Sequence, residues 1–108
     1  KKIKKINQII TTKFDNNYKS SHHLFIIHLK KQNAKLKDKL IKFMLQNNVM
    51  LQYHYIPIYK FKIFKDKCIN ENAKIYFNSA LSLPIFYELS KTNQILILEL
   101  LKKFFKKN

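Results

Sequence analysis

The chain has 108 residues, 46% of them hydrophobic and 14% aromatic, enough for one small folded domain with a modest core. Its formal charge of +16 comes from 22 basic and 6 acidic residues, and every basic residue is a lysine. That composition excludes a disordered polar tail, an internal disulfide (Cys68 is the one cysteine), and a membrane span, since no apolar run nears the ~20 residues one needs.

Residues 1–14 carry Ile3, Ile6, Ile10 and Phe14 at spacings of three and four, which predicts a helix with one buried face. The chain enters that pattern at once, without an initiator methionine, as pieces of longer proteins do. No apolar signal core follows, so the cytoplasm is the expected compartment. Asp15-Asn16-Asn17 predicts a break, because these side chains compete for backbone hydrogen bonds. Residues 23–29 are β-branched and aromatic, apolar on both faces, and predict a strand buried beneath helices. After a polar connection over 30–35, Leu36, Leu40, Phe43 and Met44 predict a helix that Asn47-Asn48 ends.

Residues 49–55 predict a second strand, with Val49, Leu51, Tyr53 and Tyr55 on one face and Gln52 and His54 on the other. Pro57 limits its pairing. Residues 58–68 alternate apolar side chains with lysine and predict an extended or irregular loop resting on the domain. Ala73, Tyr76, Phe77 and Ala80 form a third helical stripe that Pro84 stops. Ser90 is the expected N-cap of a last helix burying Ile95, Leu98, Leu101 and Phe105. The order α-β-α-β-loop-α-α predicts a compact α+β domain.

The strongest ligand candidates are His54 and Tyr55, at a strand end halted by a proline. An imidazole and a phenol there can hydrogen-bond sugar hydroxyls or phosphate oxygens; the alternative is a satisfied histidine beside a packed tyrosine. Tyr59, just past Pro57, has the same two readings. His23, at the start of the first strand, either orients a site or supports the strand. His22 and His28 read as structural or exposed, and with His23 and Cys68 they match no standard zinc spacing. A lone cysteine in a lysine-rich loop reads as inert rather than nucleophilic. The lysine excess reads as solvated surface, in a sequence rich in residues with A/T-rich codons. A polyanion-binding module is the rival reading, weakened by the absence of arginine and its bidentate fork.

Four stretches, in order, resemble one enzyme family. They are Ser20-Ser21-His22-His23-Leu24-Phe25; Tyr53-His54-Tyr55-Ile56-Pro57-Ile58-Tyr59; Ala80-Leu81-Ser82-Leu83-Pro84-Ile85-Phe86; and Leu89-Ser90 followed by Gln94. Together they are similar to the C-terminal small domain of the DegT/DnrJ/StrS-type sugar aminotransferases. Within that family the chain looks most like members that aminate a UDP-linked 4-keto-6-deoxy hexose on the route to pseudaminic acid.

The resemblance implies an aspartate-aminotransferase-like (fold type I) parent that depends on pyridoxal phosphate and works as a homodimer. It implies a nucleotide-sugar substrate and an amino donor, typically glutamate, with no nucleic acid or membrane partner. Residues 1–108 are then the small domain, without the large domain whose lysine holds the cofactor, so the chain alone is expected to be inactive. No residue here is carried over as catalytic; His54, Tyr55, Tyr59 and His23 are the substrate-side candidates. Two alternatives stay open, a small lysine-rich nucleic-acid-binding module and an inactive stand-alone fragment.

Overall fold

A computed structural model describes residues 3–13, 17, 19–64 and 70–107. The order is a 3-10 turn (Ile3–Lys5), β1 (Ile9–Thr11), β2 (Phe25–Leu29), α1 (Ala34–Gln46), a 3-10 turn (Ile58–Lys60), α2 (Glu71–Ser79), β3 (Ala80–Leu83) and α3 (Lys91–Lys107). The α+β class holds, but the element order differs from the expected one at three places.

The first is the predicted helix over 1–14. Ile3, Ile6 and Ile9 are buried at intervals of three, while Ile10 is exposed. Ile9-Ile10-Thr11 is β-branched throughout, and such side chains suit a pleated strand better than a helix. β1 therefore pairs antiparallel with β2, Ile9 opposite Leu29 and Thr11 opposite Ile27. Phe14, Asp15 and Asn16 lie outside the described residues, as do Cys68 and the end of the predicted 58–68 loop.

The second is the stripe through Ala80. Helix α2 stops at Ser79, and residues 80–83 form β3, every one of them buried. β3 pairs antiparallel with β2, placing Phe25 opposite Leu83 and Ile27 opposite Leu81, so β2 is the central strand. The run Ala80-Leu81-Ser82-Leu83 is buried on both faces, as a strand between layers must be.

The third is the predicted strand over 49–55, which pairs at a single point. Gln52 N–H donates to Ser82 O at 3.2 Å, and Ser82 N–H donates to Gln52 O at 2.6 Å. In an antiparallel ladder the next hydrogen-bonded pairs would be 50 with 84 and 54 with 80. Pro84 has no N–H, and the Ala80 N–H already donates to Tyr76 O at the end of α2. Each neighbouring rung therefore lacks the donor that β3 would supply, one of the two bonds that such a pair exchanges, and this disfavours extension of the strand.

Helices α1 and α3 cover the sheet face that carries Ile9, Ile27, Leu29, Leu81 and Leu83, and the core forms between these layers. Asn33 caps α1 by accepting from Leu36 N–H at 3.1 Å. Its other end is a Schellman turn: Asn48 takes φ 59°, its N–H donates to Leu45 O, and the Val49 N–H donates to Met44 O. Asparagine tolerates that left-handed backbone better than most residues, and Met44 and Val49 are both buried beside it. Ser90 caps α3 as expected, accepting from Asn93 N–H at 3.1 Å. The buried face of α3 is Ile97, Leu100, Leu101, Phe104 and Phe105; Ile95, expected inside, is exposed, and Leu98 is half-buried.

Candidate functional site

Residues 50–60 connect α1 to the 3-10 turn at Ile58–Lys60 and meet β3 at the antiparallel Gln52–Ser82 bridge. His54 then turns its imidazole back to β3, where Nδ1 and Ser82 Oγ are hydrogen-bonded at 2.8 Å. His54 is half-buried and Ser82 fully so. Tyr55 follows across a cis peptide and is 76% exposed, its ring edge-on to His54 with centroids 4.8 Å apart. Tyr59 is half-buried on the 3-10 turn that follows Pro57.

Two open grooves flank the Leu83-Pro84-Ile85-Phe86 corner. The larger, about 690 Å³, has His23, Gln52, Ser82, Asn93 and the α1 end at Asn47-Asn48 on its walls. The smaller, about 410 Å³, is lined mainly by apolar side chains, among them Ile3, Phe25, Leu89 and Leu98, with Gln94 on the same wall. Ser82 therefore joins two of the expected residues: its hydroxyl holds His54, and it shares the larger groove with His23. His23 is exposed, and its Nδ1 is hydrogen-bonded to Ser21 Oγ at 2.9 Å. Tyr55 and Tyr59 are on the wall of neither groove.

Two residues here are not evident from the sequence. A helical stripe that runs on to Pro84 hides Ser82, which stands on β3 instead. Lys37 has the character of a surface residue, yet it is 2% exposed and donates from Nζ to Phe77 O. Its position with Leu40 and Met44, at spacings of three and four, placed it on the buried stripe of α1. Burial lowers its pKa from the ordinary lysine value; Asp38 raises it in part and Lys60 lowers it again.

His28, read as structural or exposed, is half-buried on β2 and lies edge-on to Tyr76 of α2 at 5.5 Å. Burial lowers its pKa from 6.5. The unfolded chain thus takes up this proton first, so the contribution to stability is complete above pH 6.5 and is lost as the pH falls from there through the lower folded value. Urea unfolding over that window should show wild type losing more stability on acidification than His28→Asn. Equal slopes for the two proteins would remove His28 as a cause.

Among the described residues no group of three or more His, Cys, Asp or Glu side chains could hold a metal ion, and no helix is long and apolar enough to cross a membrane.

With this geometry in place, comparison with known proteins is specific. Residues 1–102 match the model of the DegT/DnrJ/EryC1/StrS aminotransferase family. The chain belongs to this family. It is 31% identical over 94 residues to the UDP-4-amino-4,6-dideoxy-N-acetyl-beta-L-altrosamine transaminase of Campylobacter jejuni, covering 83% of this chain and 25% of that enzyme. Among solved structures, the aminotransferase TlmJ of Streptoalloteichus hindustanus superposes with a TM-score of 0.89 at 12% identity, over 98% of this chain and 28% of TlmJ. Helicobacter pylori PseC, an aminotransferase of pseudaminic acid biosynthesis, gives 0.76 at 22% identity, over 83% of this chain and 25% of PseC. The chain thus has the fold of one part of these aminotransferases and spans about a quarter of the length of the curated relatives it matches.

The residues described do not form a pyridoxal phosphate site. Neither groove carries a lysine or a carboxylate on its walls. Lys37 faces a carbonyl and aromatic rings. The chain has no glycine, the residue that lets backbone N–H groups close on a phosphate.

Proposed function

We propose that this chain is the C-terminal small domain of a pyridoxal-phosphate-dependent sugar aminotransferase that moves an amino group onto a UDP-linked 4-keto-6-deoxy hexose. The observation that carries the reading is the 31% identity to the Campylobacter jejuni transaminase, which covers the segment bearing His54 and Tyr55. The cofactor supplies the amino-transfer chemistry and is held by residues outside these 108. This chain alone is inactive.

His54, Tyr55, Tyr59 and His23 are the sugar-side residues. The Tyr55 phenol stands in solvent, free to donate to a hydroxyl or a diphosphate oxygen, while the Ser82 bond fixes the plane of the His54 ring. The grooves beside the Pro84 corner, with exposed Phe25, Met50, Ile85, Phe86 and Leu96 on or near their walls, suit a surface that another part of the enzyme covers. Glutamate is the amino donor, and the working protein is a cytoplasmic homodimer.

Titration of the isotope-labelled chain with a UDP-N-acetyl sugar, followed by NMR, tests the sugar-side assignment. Shifts should concentrate on His54, Tyr55, Tyr59 and His23 and persist at raised salt. Shifts confined to the lysines of α1 and α3 and abolished by salt would overturn it in favour of a general polyanion surface.

A further inference from the structure

The segment 53–60 carries three of the four proposed sugar-side residues, yet it has little regular backbone pairing to hold it. Its two ends converge instead on one ring. Tyr53 lies edge-on to Phe77 of α2, centroids 5.6 Å apart. At the other end, Lys60 Nζ stands 4.2 Å from the Phe77 centroid. Lys37, from the first turn of α1, sets its Nζ 4.0 Å from the same centroid and 5.4 Å from that of Tyr53. It also donates to the Phe77 carbonyl, in the last turn of α2, where helix carbonyls lack an internal partner.

A buried ammonium normally finds a carboxylate. Among the described residues Lys37 makes no ion pair; its partners are this carbonyl and two ring faces, an environment that suits a cation by the ring quadrupole. Tyr53 immediately precedes His54, and Lys60 immediately follows Tyr59. What fixes Phe77 therefore fixes both ends of the segment.

We propose that Lys37 and Phe77 are positioning residues: a cation–aromatic anchor, outside the ligand site, that sets where His54, Tyr55 and Tyr59 stand. The claim that these three meet the sugar rests on the function proposed above; the anchoring does not. Burial lowers the Lys37 pKa, Asp38 raises it in part and Lys60 lowers it again, as apolar surroundings and a second cation nearby require.

The test is aromatic and methyl NMR of the full 108-residue chain without ligand. Edge-on contact at 4.8 Å should displace the His54 and Tyr55 ring protons from their random-coil shifts. Lys37→Met keeps the side-chain length and removes charge and donor. Lys60→Met alters an exposed side chain and leaves the core intact. Both should move the His54 and Tyr55 ring shifts toward random-coil values, Lys37→Met further, while the methyls of Ile27, Leu40 and Leu101 hold their positions. Ring shifts unchanged in both variants would overturn the proposal. So would core methyls that move in step with the rings, because Lys37 would then act on the fold as a whole. Should Lys37→Met fail to fold, Lys60→Met decides alone. Since no sugar is present, failure of the sugar assignment would show only in the UDP-sugar titration.

Discussion

Leu101→Ala is expected to cost the fold about 2–5 kcal/mol, a large share of the roughly 5–15 kcal/mol that holds a domain together. Leu101 is fully buried in the core where α3 meets α1, beside the Phe43–Phe104 contact at 5.5 Å, and its truncation leaves a cavity there. Ile95→Ala, on the same helix, should change stability by no more than ~0.5 kcal/mol, because Ile95 is 45% exposed. Urea midpoints of the two variants check the rotation of α3. Comparable losses would mean that the helix presents the face through Ile95 instead.

The second large effect concerns ligand affinity. Tyr55→Phe removes one hydroxyl from an exposed ring and should leave stability unchanged, yet weaken the UDP-sugar roughly tenfold, the loss of one hydrogen bond to a charged or polyhydroxyl ligand. His54→Ala should weaken it by at least as much. It should also cost about 1 kcal/mol of stability, because the buried Ser82 hydroxyl loses its partner. The two variants thus separate binding from folding: Tyr55 changes affinity alone, His54 changes both. Dissociation constants from the NMR titration, set beside urea midpoints, measure each. Unchanged affinity in Tyr55→Phe would remove that phenol from the site.

How far the sequence led is clearest in particular residues. Helix α1 was legible end to end, because its apolar spacing, the Asn47-Asn48 stop and the polar start all point one way. The cap at Ser90 was legible for the same reason. The rotation of α3 was not: apolar residues fill nearly every position from Ile95 to Leu101, so two stripes fit the helical period equally well. Residues 9–11 and 80–83 become strands only because β2 stands between them, a tertiary fact that local spacing cannot carry. The failed pairing over 49–55 depends on Pro84 and on an N–H committed to Tyr76, both some thirty residues away.

For the candidate site, His54, Tyr55, Tyr59 and His23 came from composition, the proline stop and the family resemblance. The structure adds Ser82, whose hydroxyl is hydrogen-bonded to His54 and which lines the larger groove with His23. Lys37 carries the sharpest conflict between residue type and position. Its lysine identity suggested solvent, while its place on the stripe with Leu40 and Met44 suggested the interior, and the interior prevailed because Phe77 and Tyr53 supply a carbonyl and ring faces in place of water.

The central claim is that these residues supply the sugar-facing small domain of an aminotransferase. It is tested most directly by replacing the matching quarter of the Campylobacter jejuni transaminase with this chain and measuring amination of the UDP-linked keto sugar. The account predicts turnover that requires pyridoxal phosphate and falls on Tyr55→Phe. A chimera that folds and takes up the cofactor, yet leaves the keto sugar unchanged, would contradict it.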